Sequence, residues 1–328
     1  MSAEIEEKLQ KVPVLNLAVG LLKKIKLPGF EGLSFYDLLE MYVVGIIEGT
    51  LSTRASSIAF SLFLALFPLL IFLLTLIPFI IPYVALDNSN FDAEFLEFLE
   101  SFLPRATGDY FSEIYLQISR QERGDVWSSA IAFITSIFLM ANGVNAIFSG
   151  FENSYHISLN RSIVRQYLSA LAVGLMLSVL LLIGAVVFIY FEAYILGGLQ
   201  EITQGNTEPQ VDESDFVVVQ WGKFLFLGLL SYFITAILYY FGTQEGKQAK
   251  FFSAGALMTT LLFTMTSYLF GVYVDKFARY NELYGALGGL LILLVFIWLN
   301  STILLLGSEL NASLNSLRRN YKKQGNGQ

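Results

Sequence analysis

The chain has 328 residues, 55% hydrophobic and 14% charged, where soluble domains carry about a quarter charged residues, so a water-soluble globular fold is excluded. Cysteine is absent and histidine occurs once, at His156, which excludes disulfides, a Cys nucleophile and any thiolate or His-paired metal site. A net charge of −7 argues against a general nucleic-acid surface, which needs a clustered basic field.

Residues 1–50 read as a cytoplasmic amphipathic segment. Ser34 and Asp37 stand in capping spacing, and Phe35, Leu38, Leu39, Tyr42, Val43, Ile46 and Ile47 share one helical stripe. That stripe predicts a helix lying on the membrane surface or against a bundle. The acidic start (Glu4, Glu6, Glu7) predicts no secretory leader. The first spanning helix is expected at about 55–82, since no charge occurs from Ala55 to Ile81. Pro68 lies in mid-span, removes one backbone bond and predicts a kink. Arg54 marks one mouth of this span, Pro78 and Pro82 the other.

A polar interval follows. Phe91, Phe95, Phe98, Leu99 and Phe102 repeat at helical spacing, with Asp92, Glu94, Glu97 and Glu100 opposite, and Pro104 closes the run. This predicts an acidic amphipathic helix over an apolar seat, its functional reading being a lid or a partner surface. A weaker helix is expected over Ala106–Arg120. Five further apolar runs, at about 126–149, 167–196, 217–242, 251–272 and 285–312, complete six spans. The stretch 197–216, with five acidic and no basic residues, reads as a flexible loop, and 313–328 as a polar tail. The expected fold class is therefore all-α: a polytopic six-transmembrane-helix bundle with amphipathic N-terminal and periplasmic helices.

With a cytoplasmic N-terminus, that side collects fourteen Lys and Arg against five opposite, which predicts both termini in the cytoplasm. Polar groups inside hydrocarbon are costly and mark candidate sites. Asn142, Asn145 and Ser149 share a face of the second span that Glu152 continues; they can line a wet cavity or bond a neighbouring helix. Asn300, Gly307 and Asn311 share a stripe of the last span. Glu309 there has no basic partner on its own helix before Arg318, so Arg54 at the same depth is the expected partner, with Arg165 second. Gly285 and Gly289 form a GxxxG beside Gly288, a spacing for close helix packing. Lys223 is expected to snorkel outward and His156 to be a solvated loop residue. No catalytic constellation, metal site or cofactor motif is found.

The order Arg54-Ala55, Ala59-Phe60, Ala65-Leu66-Phe67-Pro68 resembles the first-span signature of the YihY / virulence factor BrkB family. Asn142 and Asn145 before the FENSY segment, and Arg165 after it, are similar to that family too. So is the closing run from Tyr284, YGALGGLLILLVFIWLNSTILLLGSELNA. The likeness covers about residues 35–315. It implies a bacterial inner-membrane protein with six spans and cytoplasmic termini. Some members were once labelled ribonuclease BN, a label the resemblance implies to be mistaken. The residues agree, because neither metal-binding carboxylates nor a basic track stands on the cytoplasmic side.

The expected function is a transporter or flippase-like carrier of a solute, ion or amphiphile. A transport cavity would draw on Arg54, Pro68, Asn142, Asn145, Glu152, Arg165, Asn300, Glu309 and Asn311. The alternative is a non-transporting scaffold or envelope-assembly partner; an enzyme is not expected. Expected partners are membrane lipids and a small solute or amphiphile, without nucleic acid, and a homo-oligomer is compatible with this reading.

Overall fold

The computed structural model describes residues 50–80, 91–103, 112–113, 115–117, 126–152, 162–203, 213–243, 251–277 and 287–325. Its helices are α1 (Thr50–Ile80), α2 (Phe91–Glu100), α3 (Val126–Glu152), α4 (Ile163–Thr203), α5 (Glu213–Gly242), α6 (Ala254–Phe277) and α7 (Leu287–Gly325). All but α2 contain a stretch long and apolar enough to cross a membrane: Leu51–Leu76, Ala130–Glu152, Ile163–Phe191, Gln220–Gly242, Ala254–Val274 and Gly288–Asn315. These are the six expected spans with shifted ends. A hydrocarbon solvent forces this regularity, because each spanning backbone must satisfy its own amides. Apolar residues run all round these helices, since lipid outside and protein inside make the same demand.

The long helices close into a ring in chain order. α1 packs on α3, α3 on α4, α4 on α5, α5 on α6 and α6 on α7, and α7 returns to α1. The seams on either side of α5 are thinner than the others. Three apolar clusters form among the described residues, a small one joining Phe270 and Val274 of α6 to Ile292 and Phe296 of α7 and two larger ones stacked within the ring. One of the larger pair, at the Arg54 end, centres on Ile58, Phe148, Phe151, Tyr239 and Leu305. The other, at the opposite end, joins Leu70, Phe72, Leu73, Phe188 and Leu230 to the buried face of α2. Phe95 and Phe98 are fully buried there, so the amphipathic helix has the apolar seat its spacing predicts.

Several expectations change. Pro68 is buried, and α1 runs unbroken through it from Thr50 to Ile80. A proline lacks one donor, so one bond is lost while the turns packed on α3 and α7 carry the helix on. The 197–216 loop is shorter than read, because α4 continues to Thr203 and α5 begins at Glu213. Likewise α7 continues through the polar tail to Gly325. Lys223 does turn toward the membrane end, but its Nζ meets Glu97 of α2 at 3.2 Å and lies 5.2 Å over the Phe188 ring. With Glu97 more than half exposed, this ties α2 to α5 with at most about 1 kcal/mol. Residues 1–49, His156, Gly285 and most of 104–125 lie outside the described residues. Gly288 and Gly289 are buried.

Candidate functional site

Between the two larger clusters the ring encloses a cavity of about 700 Å³. Every spanning helix contributes to its wall, with Leu66 from α1, Val144 from α3, Ser178 from α4, Thr235 from α5, Thr264 from α6 and Asn300 from α7 among the lining residues. Ser101, Phe102 and Leu103, just after α2, roof it. Among the described residues, no Asp, Glu, Lys, Arg or His lines it. Its hydroxyls are largely committed to their own helices: Ser178 to the Gly174 carbonyl at 2.8 Å, Thr235 to Ser231 at 2.8 Å, Thr264 to Thr260 at 3.0 Å and Ser301 to Ile297 at 2.7 Å. Asn300 donates through Nδ2 to the Phe296 carbonyl at 3.0 Å, and its buried Oδ1 receives no hydrogen bond. Ser231, Ser267 and Tyr268 also line the chamber with hydroxyls that no described protein group takes up, so the wall offers a few donors beside the Asn300 acceptor.

The Arg54 end is locked. Arg54 Nη2 donates to Glu309 Oε1 at 2.9 Å, and its Nη1 donates to the Gly150 carbonyl at 3.0 Å. The second bond follows from helix geometry. α3 ends at Glu152, so the Gly150 carbonyl has no acceptor role left inside its own helix, and a cation there also complements the helix dipole. One guanidinium thereby ties α1, α3 and α7 together. Gly150 favours this approach, since a Cβ there would push the end of the Ile58 side chain aside and press on Leu305. Arg54 and Glu309 do not reach the cavity; the apolar cluster around Ile58, Phe148 and Leu305 fills the space between.

A second clamp joins α5, α6 and α7. The buried Tyr239 hydroxyl donates to the Leu304 carbonyl at 2.7 Å. Its single proton being used, Thr259 supplies the proton in their mutual contact at 2.7 Å. Behind them Gly255 and Gly307 touch backbone to backbone: a Cβ on either would meet the carbonyl oxygen of the other. Asn311 completes the clamp. Ser253 caps α6 by accepting from Ala256 N at 3.2 Å, while Asn311 Oδ1 accepts from Gly255 N at 2.9 Å and its Nδ2 donates to Ser253 Oγ at 3.0 Å. Asn311→Leu is expected to lower stability by about 1–2 kcal/mol, as loss of a helix cap does, read by thermal unfolding in detergent. An unchanged midpoint would show that Ser253 alone suffices.

The sequence candidates therefore divide. Arg54 and Glu309 meet as expected, and Arg165, the second choice, is exposed at the start of α4 and takes no part in that pair. Asn300 lines the cavity. Asn142 and Asn145 do not. α3 turns Met140, Gly143, Val144 and Ile147 inward, which leaves Asn142 exposed and Asn145 half-buried away from the wall. Ser149 instead accepts from Gln166 Nε2 at 2.8 Å, joining α3 to α4. Glu152 is half-buried at the locked end, also outside the cavity. Pro68 is absent from the wall although Leu66 and Leu69 beside it belong to it. Asn311 is a cap rather than a wall residue. Sequence reasoning missed Tyr239, Thr259 and Gly255; Ser253 ahead of an apolar run was the one available signal, a cap marking where α6 starts.

Six apolar helices closed around an uncharged chamber define a polytopic integral membrane protein. The chain belongs to the virulence factor BrkB family, whose profile matches residues 44–328. It is 25% identical over 221 residues, 67% of this chain and 77% of the other, to a protein of Bacillus subtilis named ribonuclease-like. A UPF0761 membrane protein of Idiomarina loihiensis is 36% identical over 91 residues, 27% of this chain and 32% of that one. One from Xanthomonas oryzae is 41% identical over 64 residues, 20% of this chain and 15% of that protein. No solved structure matches.

Proposed function

We propose that this protein is a carrier of the bacterial cytoplasmic membrane, with both termini in the cytoplasm, that moves an uncharged or amphiphilic small molecule. The observation that carries the reading is the chamber of about 700 Å³ built from all six spans, with no charged side chain among the described residues of its wall. That volume falls inside the range of roughly 300–1,000 Å³ typical of small-molecule sites, and the chamber lies where an alternating-access carrier holds its load. An ion pathway is disfavoured, because ions need charged or densely polar walls. On this reading, with the Arg54 end cytoplasmic, the Arg54–Glu309–Gly150 lock and the apolar cluster beneath it belong to a state closed on that side. The fourteen-to-five distribution of Lys and Arg supports that assignment of sides.

Gly228 supplies the test. It lines the chamber, and nothing lies within 4 Å of the place a Cβ would take. Gly228→Trp is expected to fold with an unchanged melting temperature while narrowing the chamber. In proteoliposomes, wild type should pass a short-chain fluorescent phospholipid or a neutral sugar faster than protein-free vesicles, and the variant should pass it more slowly than wild type. If no probe crosses faster with wild type, or if the variant matches it, the carrier reading fails and a scaffold takes its place.

A further inference from the structure

The chamber wall is unevenly sealed. Of the residues lining it only Ser101, Phe224 and Tyr268 are exposed, the two aromatic ones by 53% and 72%; every other is buried or half-buried. The three share one end. At 1.5 Å per residue, Phe224 stands about 6 Å inside the span Gln220–Gly242, and Tyr268 about 9 Å before the end of Ala254–Val274. A side chain that lines a chamber and is also half-exposed marks an opening in its wall. This opening lies between α5 and α6, at one of the ring's thinner seams, under the roof that follows α2. Gly228, one turn along α5, leaves the passage behind it clear.

Resting on the carrier reading above, we propose that the chamber is loaded sideways through the gap between α5 and α6 by the acyl chain of a membrane lipid. The opening faces hydrocarbon, where lipid chains are the only abundant occupant. The wall suits a chain: apolar side chains dominate it, the hydroxyls of Ser101, Ser178, Thr235, Thr264 and Ser301 are bonded to their own helices, and none of its described residues is charged. Its shape fits as well. Along α5 it extends from Phe224 to Leu238, about 21 Å, while half of a bilayer core, roughly one chain length, is about 15 Å. The headgroup stays at the rim, at the depth of Ser101 and the Lys223–Glu97 pair. In the orientation proposed above, that rim lies in the outer leaflet, so the lipid is exchanged with that leaflet while the cytoplasmic end is locked.

The chain contains no cysteine, so the native protein is itself the background for thiol chemistry. The double variant Phe224→Cys/Tyr268→Cys, bridged by a reducible bis-methanethiosulfonate, would shut the gap. The vesicles would be phosphatidylethanolamine and phosphatidylglycerol with a trace of phosphatidylethanolamine bearing a diazirine in one chain. Irradiation is expected to place adducts on Val144, Ile147 and Leu304, which line the chamber and are buried from annular lipid, as well as on outward Ile131 and Ile183. Bridging should abolish the inner adducts and spare the outer ones, and reductant should restore them. Asn300→Leu should leave inner labelling intact or raise it. Absence of inner adducts, or their persistence after bridging, overturns the proposal. Their loss in folded Asn300→Leu does so too, by pointing to a donor-bearing solute. Should neutral-sugar flux that Gly228→Trp slows continue in these cases, only the lipid assignment falls and the carrier remains.

Discussion

Replacing Arg54 with Ala is expected to destabilise the protein by about 2–4 kcal/mol. Its side chain and that of Glu309 retain 12% and 15% exposure, so the expected loss sits at and below the lower part of the range for fully buried pairs. Three things are lost together: the charge pair at 2.9 Å, the bond to the Gly150 carbonyl at 3.0 Å, and the aliphatic stem between α1 and α7. Glu309→Gln should cost less, because the amide still accepts from the guanidinium and the Gly150 contact stays. The swapped double variant Arg54→Glu/Glu309→Arg is expected to recover only part of the loss, since a guanidinium starting from α7 approaches the end of α3 from a different side. Thermal unfolding in detergent of the four proteins reads this directly. Full recovery in the swap would remove the backbone contact from the account, and no recovery would remove the pair.

Gly255→Ala is the other large effect. A methyl at this position meets the carbonyl oxygen of Gly307 and the carboxamide of Asn311, the first of which is main chain and cannot rotate away. Either α6 lifts off α7 or the Asn311 cap breaks. Both outcomes open the strongest seam next to the gap, and the expected cost is about 3 kcal/mol or more, the upper part of the range for overpacked interiors. Gly307→Ala should be comparably harmful, but part of its clash is with the Tyr239 hydroxyl, so adding Tyr239→Phe should relieve some of it. Yield of monodisperse protein on size exclusion and the unfolding midpoint check both. Normal behaviour of Gly255→Ala would mean that the two backbones are not in contact.

The fold was readable because a membrane imposes length and polarity on any crossing helix. Six apolar runs of the right length, none with more than one charged residue, leave little choice, and Phe91, Phe95 and Phe98 at helical spacing announce α2 in the same way. Span ends were read less well. Apolar content does not say where a helix stops, so α4 and α7 run past their hydrophobic limits. The ion pair was accessible because Arg54 and Glu309 are charges at matched depth, and a charge in that position needs a partner. The chamber was not accessible. Its wall is made of Leu, Ser, Thr and Gly, the residues that also make ordinary helix contacts. Asn142, the more conspicuous signal, points away because the turn of α3 is set by where Gly143 and Val144 pack. Tyr239 illustrates the same limit: among 17 tyrosines nothing local distinguishes the one whose hydroxyl bridges three helices.

Arg54 holds α3 through a main-chain oxygen, which residues of every type possess. Position 150 is therefore constrained by volume and indifferent to charge, its size limit set by Ile58 and Leu305. In a comparison of many relatives, positions 54 and 309 should vary as a matched couple. Position 150 should follow the bulk at 58 and 305 and carry no trace of the arginine. A three-helix fastening would then leave a two-residue imprint in evolution, and contact maps inferred from covariation would underestimate how firmly this end is closed.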